Sequence, residues 1–158
     1  MNPAATAYLQ LGAAIMVEVA ATAFLKQSDG MSRLLPTVAS LLKGAGYRTA
    51  LIGKWHLGYP PHFGPLRSGY EEYFGPMSGG VDYFTHLSSS GQHDLWMGEE
   101  EHHDEGYLTD LLSQRSVDFV NRMSEGNAPF FLSLHYTAPH WPWETREDRS
   151  TAEALGAG

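Results

Sequence analysis

The sequence predicts an α/β layered domain preceded by one hydrophobic helix, and three observations predict it. From Thr37 onward, helix-like segments alternate with short apolar runs in the order helix, strand, long loop, helix, strand, as in α/β layered domains. Before that, the stretch from Ala4 to Leu25 contains no Lys, Arg or Asp and is mostly Ala, Val, Leu, Ile and Met. Both strand-like runs also end in loops carrying Lys and His or Pro and His. In open α/β sheets the carboxyl ends of strands are where working groups collect.

Taken in order, the first element is the apolar stretch 4–25, interrupted by Gln10 and Glu18. As a helix it would cross about 30 Å of hydrocarbon. Two other readings stay open. One is a secretory signal peptide, although no positive residue precedes the stretch and no convincing small-residue cleavage site follows it. The other is a buried Ala-rich helix of a soluble core. An ionisable group at bilayer depth is costly and marks an ion or substrate path, which makes Glu18 the candidate ion or proton site of a membrane reading. Lys26 and Arg33 would then hold the carboxyl side of the helix in the cytoplasm.

The chain is expected to divide at Pro36 into residues 1–35 and residues 36–158, and no further membrane-length apolar run follows. Val38 to Ala45 has the apolar spacing of a helix, with Val38, Leu41, Leu42 and Ala45 on one face and a stop at Gly46. Thr49 to Ile52 reads as a short buried strand, followed by the loop Gly53-Lys54-Trp55-His56-Leu57-Gly58. Residues 59–106 read as loop-dominated. Leu108 to Met123 is predicted as an amphipathic helix carrying Leu111, Leu112, Val117, Phe119 and Val120, closed by the turn Glu125-Gly126-Asn127. Phe130 to His135 is the second buried strand, and it delivers Tyr136-Thr137-Ala138-Pro139-His140.

The charge balance excludes one class of partner. With 18 acidic residues against 10 Lys and Arg, a net −8, no basic face is on offer to nucleic acid. The absence of cysteine removes disulfides, thiolate metal sites and thiol nucleophiles. Lys54 and His56 lie two apart, so in an extended loop both can project to one side. A fixed cation beside a titratable donor suits a sulfate or phosphate whose charge grows in the transition state. The competing reading is a solvated strand-end lysine and a histidine bonded to backbone. His102 and His103, flanked by acids, and His135 with His140 could each suggest a metal site, against a solvated acidic loop for the first pair and a rim position for His135. Trp55, Trp141 and Trp143 could line a sugar or aryl pocket or fill space between strand ends and loops.

The run from Gly46 to Gly58 closely resembles the second signature of the sulfatase family. Further matches follow in order at Gly69-Tyr70, Tyr73-Phe74-Gly75, Gly79 to Phe84, Gly106-Tyr107-Leu108-Thr109-Asp110, and Phe130 to Trp143 with Ala138-Pro139-His140-Trp141-Pro142. The resemblance covers residues 35–147. It implies an alkaline-phosphatase-like fold, hydrolysis of sulfate monoesters from small molecules or carbohydrates, a formylglycine nucleophile, a divalent metal that is usually calcium, and export from the cell. Carried over, Lys54 would contact a sulfate oxygen, His56 would orient the formylglycine, and His140 would bind sulfate near the leaving oxygen.

The departures are specific. The family's nucleophile motif is Cys or Ser, any residue, Pro, Ser or Ala, then Arg. Aligning Ser32-Arg33 with its end puts Asp29 at the nucleophile and Met31 at the proline. The paired aspartates, the Asp-Asn pair and the later lysine of the family are also without counterparts. Residues 1–40 resemble instead the first helix and loop of small multidrug resistance transporters, through Tyr8 to Val19, Lys26, Ser28-Asp29-Gly30, Ser32-Arg33 and Leu35-Pro36, with Glu18 at that family's proton-exchanging glutamate. The expectation is therefore an incomplete sulfatase domain fused near Pro36 to Ser40 to a transporter-like helix, without turnover of its own and with exposed sheet edges. Two other functions stay open: a membrane-embedded cation binder using Glu18, and a non-catalytic anion-binding domain using Lys54, His56 and His140.

Overall fold

A computed structural model describes residues 34–156. The stretch Ala4–Leu25, Glu18 and the residues Asp29 to Arg33 lie outside the described residues. Among the described residues, no helix is long and apolar enough to cross a membrane.

The first described helix, α1 (Leu34–Gly44), begins four residues ahead of the expected Val38. Pro36 falls in its first turn, where a missing N–H breaks no helical bond. The chain then enters β1 (Arg48–Gly53), whose residues are buried from Thr49 to Gly53. A strand buried on both faces has neighbours on both sides and layers above and below it. β2 (Glu72–Gly75) and β5 (Phe130–His135) both pair with β1 in parallel. Beyond β2 run two antiparallel two-residue strands, β3 (Trp96–Met97) and β4 (Glu100–Glu101), which gives the order β4-β3-β2-β1-β5.

Among the described residues the sheet thus has five strands where two were expected, because the segment read as loop-dominated supplies three. Strands of two residues carry no measurable period, and β2 is a Tyr-Phe pair between an acid and a glycine. Alternation along β1 sorts the core into two layers. Ala50 and Ile52 pack with Phe74, Leu108, Leu112 and Phe119, while Leu51 packs with Ala39, Trp55, Tyr70 and Met77. The first layer is covered by α2 (Leu108–Ser124), which buries Leu108, Leu112, Ser116 and Phe119 at helical spacing. Val117 and Val120, expected on its apolar face, are exposed. A three-residue 3-10 turn, Arg146–Asp148, leads into α3 (Arg149–Gly156).

Among the described residues, β5 bonds a neighbour on one side only and exposes Phe130 and Leu134.

Candidate active site

β1 and β5 run in parallel and in register from Arg48↔Phe130 to Gly53↔His135, so they end together. Gly53 (φ +120°) is required there, since a Cβ would collide with the His135 carbonyl oxygen. The close approach lets the Lys54 backbone N–H donate to that oxygen at 2.8 Å. The His135 ring closes the latch. Its Nδ1 lies 3.2 Å from the Lys54 carbonyl, which can only accept, so Nδ1 carries the proton, and Nε2 then accepts from the Ser133 hydroxyl at 2.9 Å. With both nitrogens engaged, His135 is a rim residue that braces Lys54.

Lys54 and His140 are brought together: Nζ lies 2.9 Å from His140 Nδ1. An ammonium donates and cannot accept, so Nδ1 is the acceptor and the proton of neutral His140 sits on Nε2. Partial burial pulls the Lys54 pKa below the ordinary lysine value of 10.5. The Gly79 carbonyl lies 3.3 Å from the same Nδ1 and, being an acceptor only, makes no hydrogen bond to it in this tautomer; the shorter Lys54 contact sets the proton. His56 reaches the same glycine by another route. It adopts φ +61°, its N–H donates to the Met77 carbonyl at 2.9 Å, and its imidazole occupies the space a side chain at Gly79 would need, 2.6 to 2.7 Å from the Cβ position. Lys54, His56 and His140, chosen from the sequence, therefore meet around Gly79.

Residues that the sequence reading missed hold this arrangement. Asp94 is 2% exposed and accepts from the Met77 N–H (3.2 Å), the Ser78 N–H (2.8 Å) and the Trp96 indole N–H (2.8 Å). It fixes the segment on which His56 rests. Tyr83 donates its hydroxyl to the His140 carbonyl (3.0 Å) and its N–H to Glu144 (2.8 Å), while the Tyr107 hydroxyl donates to the Glu144 carbonyl (2.9 Å). Burial pushes the Glu144 pKa up to about 7, helped by the charge of hydrogen-bonded Asp82 and only partly offset by the Tyr83 N–H. Burial works in the same direction on Asp82 but is outweighed by donors from Thr85 and Phe84, which hold it below its usual value. Asp82 and Tyr83 had a sequence signal in the matched run Gly79 to Phe84 and Tyr107 in the run Gly106 to Asp110, whereas Asp94 and Glu144 had none.

The tryptophans separate by burial. Trp55 is 6% exposed, donates to the Phe63 carbonyl at 2.7 Å and packs edge-on against Tyr70, so it is core. Trp141 and Trp143 are 70% and 79% exposed beside His140. A cleft of about 340 Å³ between β2 and α2 is lined by Glu72, Phe74, Arg115 and Arg122 among others, and by none of the three site residues. The cationic groups, rather than this concavity, mark the site.

Among the described residues the surroundings do not fit a calcium ion, which takes six or more oxygen ligands. The converging groups are an ammonium and two imidazoles, and the nearby carboxylates of Asp94, Asp82 and Glu144 are occupied by backbone N–H donors. Cysteine is absent from the sequence, and Asp29, Met31, Ser32 and Arg33 lie outside the described residues. No step through a metal or a formylglycine is derived from this chain.

An α/β sheet that gathers one lysine and two histidines at the carboxyl ends of its strands has the chemistry to receive an oxyanion. Comparison with known proteins carries this to a family. The sulfatase family model matches residues 14–155, and the chain belongs to the sulfatase family. It is 32% identical over 115 residues to an N-acetylglucosamine-6-O-sulfatase of Bacteroides thetaiotaomicron, covering 68% of this chain and 17% of that protein. It is 35% identical over 120 residues to the N-acetylgalactosamine-6-sulfatase of Sus scrofa, covering 69% and 22%. The crystal structure of Ps i-CgsB in complex with k-i-k-neocarrahexaose superposes with a TM-score of 0.62 at 31% identity, covering 75% of this chain and 30% of that one. The chain thus spans about a fifth of the length of these curated relatives. The match starts at residue 14, ahead of the expected boundary at Leu35, and takes in Glu18 and the loop before Pro36. The likeness to a transporter helix and the fusion near Pro36 gain no support from it.

Proposed function

We propose that Lys54, His56 and His140 form the sulfate-facing part of a carbohydrate sulfatase site, and that this chain alone binds sulfate esters without hydrolysing them. The observation that carries the reading is the 2.9 Å contact between Lys54 Nζ and His140 Nδ1 at the ends of adjacent parallel strands. It places a positive charge beside an imidazole whose Nε2–H is a donor. The ammonium offsets charge on a sulfate oxygen, and the His140 Nε2–H is suited to the ester oxygen that must leave as an alcohol. His56, above Gly79, faces the same anion. Carbohydrate is favoured because two relatives are named for sulfated amino sugars, because one solved relative holds an oligosaccharide, and because Trp141 and Trp143 stand exposed next to His140.

The test uses the full chain with a sulfated N-acetylhexosamine in calorimetry and a chromogenic sulfate ester for turnover. Binding without turnover is expected, with Lys54→Ala weakening binding by about 10- to 100-fold, the worth of one hydrogen bond to a charged group. Equal binding by Lys54→Ala would remove the site assignment. Metal-dependent release of the chromophore by the wild-type chain would overturn the claim that it cannot hydrolyse.

A further inference from the structure

The acidic hairpin at the sheet edge holds a cluster that sulfate handling does not use. We propose that His93, Glu101 and His103 form a binding site for a first-row divalent cation of the zinc type. One ligating atom from each side chain lies within 4.8 Å of the others. A tetrahedral ion with bonds of about 2.0–2.2 Å requires donors roughly 3.5 Å apart, so the set needs a closure of about 1 Å together with a reorientation of the rings.

The fold brings the three together by separate means. Glu101 ends β4 and His103 lies two residues on, so in extended chain both side chains fall on one side, and His103 Nε2 is 3.8 Å from Glu101 Oε1. His93 arrives through its bridge to Leu87, and its ring stacks on His103 with centroids 4.2 Å apart. Rings stacked at 22° aim their in-plane lone pairs side by side, so ligation of one ion also requires one imidazole to turn out of the stack, a rotation open to His103 because its side chain is exposed. His93 Nε2 lies 2.8 Å from the His102 carbonyl, which can only accept. The proton is therefore on Nε2 and the free lone pair on Nδ1. A backbone carbonyl fixing the tautomer of a histidine is the usual support of a metal-ligating one.

Two of the neighbouring acids are otherwise engaged. Glu99 is held by Arg67 at 2.9 Å and Asp104 by Arg115 at 2.9 Å, which leaves Glu101 to face His103. His102, adjacent in sequence, is turned away, packing edge-on against Phe74 with Nε2 3.1 Å from Asp104 but out of line for a hydrogen bond. The sequence pair His102-His103 is thus not the site; His103 serves with His93 instead. Two imidazoles and one carboxylate, with room for solvent, suit zinc, nickel or copper better than calcium or magnesium.

The experiment titrates the full chain with Zn²⁺ by calorimetry after exhaustive chelation, comparing His103→Ala, Glu101→Gln, His62→Ala and His140→Ala. His103 and Glu101 side chains are 72% and 49% exposed, so both can be replaced without opening the core. The expected result is one Zn²⁺ per chain in the micromolar range, weakened at least about tenfold by His103→Ala and by Glu101→Gln, and unchanged by His62→Ala and His140→Ala. Copper(II) bound at the same site should show nitrogen hyperfine coupling that is reduced in His103→Ala. Absence of binding at millimolar Zn²⁺, or binding abolished by His140→Ala and indifferent to His103→Ala, overturns the proposal.

Discussion

Replacing Asp94 tests whether the site depends on the segment behind it. Its carboxylate is 2% exposed and receives three donors, at 3.2, 2.8 and 2.8 Å. Each such bond to a charged acceptor is worth about 1.5–3 kcal/mol, and stranding buried donors costs a similar amount, partly repaid where water enters. Asp94→Ala is therefore expected to lose about 3–5 kcal/mol. Asp94→Asn keeps the shape and one acceptor but turns an NH2 toward a donor, for a loss of about 1–2 kcal/mol. At roughly 3–6 °C per kcal/mol for a domain of this size, the alanine variant should melt at least about 10 °C lower. The assay is thermal unfolding followed by near-ultraviolet circular dichroism, with exposed Asp118→Ala as a control expected to fall within about 0.5 kcal/mol of wild type. Where Asp94→Asn still folds, sulfate-ester binding should weaken too, because the His56 N–H rests on the Met77 carbonyl that Asp94 anchors. An Asp94→Ala variant as stable as Asp118→Ala would refute the reasoning.

Three other outcomes are expected. Gly79→Ala places a Cβ 2.6 to 2.7 Å from the imidazole of exposed His56, which can swing away; stability should change by less than about 1 kcal/mol while sulfate-ester binding by calorimetry falls about tenfold. Glu144 has a raised folded-state pKa of about 7, so its contribution to holding the His140 loop is full below its unfolded value of 4.5 and is lost as pH rises through 7. After allowance for solvent exposure that is on the order of 1 kcal/mol. Fluorescence of Trp141 and Trp143 should therefore change across neutral pH in wild type and stay flat in Glu144→Gln. Sulfate binding needs protonated Lys54, whose pKa lies below 10.5; affinity should fall on the alkaline side at a lower pH than for a fully solvated lysine, as a calorimetric pH series would read.

Much of the framework was legible because it is local. β5 spans Phe130 to His135 as expected, but it is not the buried strand the apolar pattern suggested, since only Ser133 is buried; β1 extends the expected Thr49–Ile52 by one residue at each end, and α2 extends the expected helix by one. The local rules failed where structure is made by pairing across distance. β3 and β4 exist only because β2 gives them an edge, and two residues offer no period to detect. Val117 and Val120 fit the apolar pattern of a helix, yet both are exposed.

The site divides along the same line. That Lys54, His56 and His140 would lie near one another was legible because each follows a strand within a few residues, and the strand ends fix where they go. Their supports reach across the chain: Asp94 lies 17 residues from Met77, and Tyr83 lies 57 from His140. A buried Asp in a Gly- and Ser-rich loop reads as a turn residue until the N–H groups it receives are known. The metal cluster follows suit, since the adjacent pair His102-His103 drew attention and the fold paired His103 with His93 instead. Sequence spacing therefore locates groups whose position a single strand dictates, while those set by tertiary pairing become visible only when the pairing is seen. Substitutions at Asp94 and Tyr83 should accordingly disturb the site as much as changes in the histidines they position.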